Sequence, residues 1–169
     1  MNNTRSSDAE PSPGVNPLDL IRLITPDRLE EIYRHSLAAY PRECCGMILA
    51  SGTVRRCENA QDKLHQLDPN EFPRTSLNAY CFDVEDQLFL CRSIESDDPV
   101  RIVYHSHPDG PPEFSETDRI CATMDGAALY PGLGFLVVQC SKTQAGPARL
   151  FTSSPESPRD SVSWIKHEL

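Results

Sequence analysis

No stretch of this chain approaches the roughly 20 consecutive apolar residues that a membrane helix requires, so no spanning segment is expected. Positive charge is scarce and scattered. There are 16 Lys and Arg against 25 Asp and Glu, a formal net charge of -9, and the only basic run is the pair Arg55-Arg56. Such a surface repels phosphate backbones and anionic lipid, so neither nucleic acid nor a membrane is the expected partner. A neutral or cationic protein segment suits it better. The seven cysteines are odd in number and contain no CxxC pair, which argues against both a disulfide framework and a cysteine zinc knuckle. Small buried hydrophobes in a reducing compartment are the expected role for most of them. Glycine is outnumbered by proline, 8 to 15, which favours long loops, and no internal repeat is visible. Residues 1–17 hold almost nothing to bury and read as a disordered leader. They also lack the apolar core of a signal peptide, so a cytoplasmic location is expected.

What remains is enough for one domain with a real core, expected over residues 18–152, followed by a Ser/Pro-rich tail over 153–169 from which Trp164-Ile165 can fold back. Thr25-Pro26 is a helix start, because Thr caps and Pro suits the first helical position. Leu29, Ile32, Tyr33, Leu37 and Tyr40 continue it at helical spacing until Pro41. Residues 45–50 (CGMILA) and 53–57 read as a strand, a turn at Ser51-Gly52 and a second strand; 58–75 is polar and reads as a connection. Tyr80 to Phe82 is a candidate strand end. Asp83 caps a second helix whose Val84, Leu88, Cys91 and Ile94 share a face. Val100 to Tyr104 is a buried strand that runs into His105, and residues 108–114 form a loop before a third helix opened by Ser115. Phe135 to Cys140 is the clearest central strand, with Ala148 to Phe151 a neighbour. The mixture indicates an α/β or α+β sheet flanked by helices.

The chemistry concentrates in two places. His105 and His107 stand at i and i+2 at the end of an apolar strand, on one face and about 7 Å apart by strand rise. Ser115-Glu-Thr-Asp118 then supplies a capped helix with a carboxylate at its third position, which a Pro/Gly-rich loop can fold back to the strand end. Two imidazoles and a carboxylate form a donor set suited to zinc with a fourth position open. Either element alone is common: most HxH pairs bind nothing, and SxxD is an ordinary helix start. The combination is specific. Ser106 points to the other strand face and is expected to be structural. Nothing predicts a base partner for Cys44 or Cys45, so packing is preferred to a nucleophilic role for either.

This pattern resembles the JAMM/MPN metallopeptidases, whose signature is HxHx10D with a Ser three residues before the Asp and a separate upstream Glu. His105-Ser106-His107, ten residues (108 to 117) and Asp118 match it, with Ser115 in the serine position and Pro108 after the second histidine. Pro41-Arg42-Glu43-Cys44-Cys45-Gly46 resembles the Glu-bearing segment, and Asn59 and Phe82 are softer matches. The resemblance implies a central mixed β-sheet flanked by helices, in a layout shared broadly with cytidine deaminases, although the HxE and PCxxC signature of zinc deaminases is missing. It implies Zn2+ held by His105, His107 and Asp118, with Glu43 as general base and then acid, and Ser115 stabilising the oxyanion. It further implies a peptidase or isopeptidase acting after the C-terminal glycines of a ubiquitin-like or sulfur-carrier protein. The chain is similar to the short prokaryotic branch, since no long insertion follows Asp118. The alternative is a non-catalytic scaffold of the same family, against which the intact five-residue pattern speaks.

Overall fold

The computed structural model describes residues 15–154 and 162–169; most of the expected leader therefore lies outside the described residues. The first helix, α1 (Pro17–Leu23), is opened by Asn16, whose side chain accepts from the Leu18 N–H, with Pro17 at the first helical position. Seven residues are too few to show a helical period, and sequence reading passed over it. The next helix, α2 (Pro26–Ala39), begins as expected with Thr25 capping the Arg28 N–H and Pro26 behind it. It buries Ile32 and Ser36 and lays Leu29 and Tyr33 against the core.

Strands β1 (Cys45–Leu49) and β2 (Val54–Cys57) form the expected hairpin. The segment read as a connection contains a further helix, α3 (Gln61–Leu67). It has no side-chain cap and buries only Gln61, so neither periodicity nor a start signal announces it. After α4 (Val84–Ser93) comes β3 (Val100–Pro108), which runs on through both histidines, and then the short α5 (Glu116–Cys121). A small hairpin, β4 (Thr123–Met124) and β5 (Ala127–Ala128), separates α5 from β6 (Gly134–Cys140) and β7 (Ala145–Ser153). The tail contributes β8 (Trp164–Glu168), paired antiparallel to β7, with Trp164 opposite Ser153.

The sheet order is β2-β1-β3-β6-β7-β8. Among the described residues, only β3 and β6 run parallel; every other neighbouring pair in this sheet is antiparallel. The fold is therefore a mixed α+β sheet with helices on its faces, as anticipated. Alternation along the strands divides the core in two. Ile48, Ile102, Tyr104, Leu136, Val138 and Leu150 face α1 and α2. Met47, Val103, Phe114, Phe135, Val137 and Phe151 face the other way, towards Leu90 of α4 and the half-buried Tyr80, Phe82 and Trp164. Among the described residues, no helix is long and apolar enough to cross a membrane.

The face of α4 differs from expectation. Its buried residues are Asp86, Leu90 and Ser93, whereas Val84, Leu88, Cys91 and Ile94 point outward. The physical reason is Arg55 on β2. Its guanidinium holds Asp86 at 2.6 Å and lies 4.4 Å from the centre of the Phe89 ring, which turns the polar side of the helix inward. The cysteines also divide. Cys44, Cys45, Cys57 and Cys140 are buried as expected, Cys81 is half-buried, Cys91 and Cys121 are exposed, and all seven are free thiols.

Gly46 lies opposite Tyr104 in the β1–β3 register, and a Cβ there would stand inside the phenol ring. Gly46→Ala should displace Tyr104 from its hydrogen bond with His35, 2.9 Å in the native chain. Overpacking of this kind costs about 1–3 kcal/mol, so the melting temperature should fall by roughly 3–10 °C in a thermal scan.

Candidate metal centre

The site is assembled at one end of β3. Because side chains alternate, Tyr104 and Ser106 face α2 while His105 and His107 share the opposite face. His105 is fully buried between β1 and β6, with Cys45 and Val137 as its cross-strand neighbours, and Tyr80 stacks on its ring at 4.5 Å between centroids. His107 is more buried than exposed, and its Nδ1 lies 2.9 Å from the Pro111 carbonyl. That bond places the proton on Nδ1 and leaves the Nε2 lone pair facing inward, the outer-shell arrangement typical of metal-binding histidines.

Asp118 arrives from α5 by a local device. Ser115 Oγ accepts from the Asp118 N–H at 3.1 Å, and the Ser115 N–H donates to Asp118 Oδ2 at 2.8 Å. This reciprocal capping box fixes the carboxylate before it meets either histidine. Asp118 Oδ1 then lies 3.3 Å from His105 Nε2, Oδ2 lies 3.5 Å from His107 Nε2, and the two Nε2 atoms are 3.0 Å apart. The donor atoms all fall within 4.8 Å of one another. Burial works to raise the Asp118 carboxyl, but the electrostatic attraction of His105, with the polar contacts of His107 and Ser115, outweighs it and holds the group ionised far below the usual carboxylate range. Burial also lowers His105, favouring the neutral imidazole, while its Nδ1 is buried without a hydrogen-bond partner among the described residues.

This donor set fits a divalent cation of zinc's class: two imidazole nitrogens and one carboxylate oxygen, with no thiolate at the centre. A cation among them would compensate the buried negative charge and satisfy both inward lone pairs. Burial pushes the neighbouring Cys44 and Cys45 thiols up, away from the thiolate.

Glu43 enters from the loop before β1. Its N–H donates to the Ser76 carbonyl at 2.7 Å, and the next residue's N–H donates to Ser106 Oγ at 2.9 Å. Ser106, expected to be structural, therefore anchors the glutamate segment from the far side of β3. Glu43, His107 and Ser115 line one cleft of about 430 Å³ together with Arg74, Asn78 and Ile120. Burial pushes the Glu43 carboxyl up to about 7, opposed by His107, supported by Asp118 and opposed again by Arg74.

With the centre described, its kinship can be stated. A family model for prokaryotic homologs of the JAB domain matches residues 25–153. The chain belongs to this family. No curated protein matches it. Among solved structures, this chain is similar to protein DSY2949 from Desulfitobacterium hafniense, at 19% identity over 83% of this chain and 87% of that one, with a TM-score of 0.55. A likeness at that identity speaks for the fold. A protein from Salinibacter ruber is 23% identical over 86% of each chain, with a TM-score of 0.46.

Two parts of this JAB domain were faint in the sequence. Asn59, noted only as a soft match, holds the cleft wall together. Its Nδ2 donates to the carbonyls of Glu43 (2.9 Å) and Ala79 (3.0 Å), and its Oδ1 accepts from the N–H groups of Gln61 and Cys81. It also forms an isolated bridge with Phe82, the other soft match. Arg74 and Tyr80 were not singled out as site residues; they come from the polar stretch before α4, where spacing carries no signal.

The raised Glu43 carboxyl has a consequence for stability with the sign worked out. In metal-free protein its folded value near 7 exceeds an unfolded value near 4.5, so the charged form is disfavoured by folding. That cost is absent below about pH 4.5 and grows as pH rises through 7. Glu43→Gln should therefore raise the melting temperature of chelator-treated protein at pH 8, by an amount on the order of 1–3 kcal/mol in stability. The difference should shrink towards pH 5 in a series of thermal scans.

Proposed function

We propose that this JAB domain is a zinc-dependent peptidase or isopeptidase that hydrolyses the bond after the C-terminal glycines of a ubiquitin-like or sulfur-carrier protein. The observation that carries the reading is the opening of one cleft onto Glu43, His107 and Ser115, with His105 and Asp118 behind them. A scaffold has no use for a buried carboxyl tuned towards neutrality beside three converging donors.

His105, His107 and Asp118 hold the zinc, which when bound supplies Lewis acidity: it makes water acidic near neutral pH and polarises a carbonyl. Glu43 takes the proton from the attacking water and returns it to the leaving amine, a role that suits a group titrating near 7. The Ser115 hydroxyl accepts from the helix N–H and keeps its own hydrogen for the developing oxyanion. Asn59 and Ser106 hold Glu43 in place through its main chain and that of Cys44.

The cleft's surroundings support this substrate class. Ile120 lines both the cleft and an adjoining groove of about 640 Å³, which continues past Thr123 and Gly126 to Trp164. Thr123 and Gly126 bring the β4–β5 hairpin to this groove, beside which an extended tail can lie. A narrow, glycine-only tail end suits the approach to the buried donors.

Two measurements test this. Elemental analysis of purified protein should return one zinc per chain, with His107→Ala or Asp118→Ala protein falling to background; wild-type protein unable to take up zinc would sink the metal assignment. Zinc-loaded protein should cut small modifier proteins fused through Gly-Gly to a reporter, and Glu43→Gln should slow this by about 100-fold or more. Zinc-replete protein that leaves cognate fusions uncut, or that cuts them as fast with Glu43→Gln, overturns the peptidase reading.

A further inference from the structure

The outward face of α4 lies away from the cleft and has no role in the chemistry. Val84, Leu88 and Ile94 are 73%, 46% and 54% exposed, and Cys91 is exposed beside them. Apolar side chains of this size at steps of four and three along a helix are an interface pattern, since a helix in solvent turns charged residues to water. The spacing of Val84, Leu88 and Cys91 is that of a coiled-coil seam, in which alternate steps of four and three keep one line of side chains towards a partner helix. The opposite side of the same helix is committed to its own domain through Asp86, Leu90 and Ser93.

We infer that α4 is the self-association surface of this protein and that its occupant is the α4 of a second copy, packed antiparallel about a two-fold axis. The charge pattern selects this occupant. α4 carries Glu85 in its first turn and Arg92 in its last. Among the described residues neither has an ion-pair partner within the chain.

An antiparallel pair whose axis passes between Leu88 and Cys91 sets each Leu88 against the partner's Cys91. It brings Glu85 to Arg92 of the partner subunit, and by symmetry the same contact forms twice, as an isologous interface requires. A parallel pair would instead set Glu85 against Glu85 and Arg92 against Arg92. The antiparallel arrangement also aligns the two helix dipoles favourably.

The seam is short, since ten residues of helix span about 15 Å. The apolar surface does not stop there. Ile94 also borders a hollow of about 180 Å³ lined by Pro99, Leu129, Tyr130 and Pro131, which extends the contact beyond the helix end. The resulting dimer is modest, with a dissociation constant in the micromolar range, as befits an interface at the small end of the size scale.

Sedimentation equilibrium of the full chain across the micromolar range tests the inference, with circular dichroism and a thermal scan confirming that each variant is folded. Wild-type protein should show a monomer–dimer equilibrium. Leu88→Asp, on an exposed position, should weaken it at least tenfold, and Glu85→Arg should weaken it several-fold. Adding Arg92→Glu to Glu85→Arg should restore most of the loss, because the swapped charges meet again across the axis. A wild-type chain that stays monomeric at the highest concentration overturns the proposal. So does a dimer indifferent to Leu88→Asp, or one that the double charge swap fails to rescue. None of these readouts depends on zinc or on peptidase activity, so the inference stands or falls apart from the proposed function.

Discussion

The pairing of β1 with β3, which sets Cys45 opposite His105 and Gly46 opposite Tyr104, governs the placement of everything in the cleft. A slip of one residue would send both histidines to the α2 side and bring Tyr104 and Ser106 to the metal side. The register is held from both faces at once. Tyr104 fills the space left by the missing side chain of Gly46 and meets His35, while Tyr80 stacks on His105. Glu43 and the His105-His107-Asp118 cluster thus share one hydrogen-bonded frame, although Glu43 lies more than sixty residues from His105 in the chain.

Electrostatics then separates the carboxyls of Glu43 and Asp118 by environment. Asp118 accepts from the Ser115 N–H at its own helix start, lies beside both histidines, and stays ionised against its burial. Glu43 has its main chain well satisfied, but its carboxyl is buried with less compensation and moves up to about 7. One acid becomes a fixed donor and the other a group able to exchange a proton at neutral pH. Under the proposed function, this division lets one pocket serve both binding and acid–base chemistry.

Much of this was legible before any coordinates. The HxH pair on a buried strand, the Ser/Asp helix start and the Thr25-Pro26 cap each have a local physical cause that spacing reveals. The sheet strands were recognisable from their apolar runs. What escaped notice depended on distant contacts. α1 and α3 are too short for a period; the fold-back of Trp164-Ile165 was expected, but its pairing as a strand depended on the edge that β7 presents. The α4 face was misleading in a useful way: its apolar stripe was real, but Arg55, thirty-one residues from Asp86, decided which side of the helix turned inward. Asn59 is a plain polar residue in sequence; its four bonds join segments that only the fold brings together.

The capping box of α5 has a reach beyond geometry. Asp118 is at once the third residue of a six-residue helix and a member of the donor cluster, so the carboxylate that fastens the helix start is the one that faces the histidines. Helix and centre therefore form a single cooperative unit. A proton added to Asp118 in strong acid would loosen the first turn of α5 and dissolve the centre in one event. In the other direction, whatever steadies the donors also steadies the wall of the cleft that Ser115, Glu116 and Ile120 provide. Occupancy of the centre would thus be written into the order of the cleft wall.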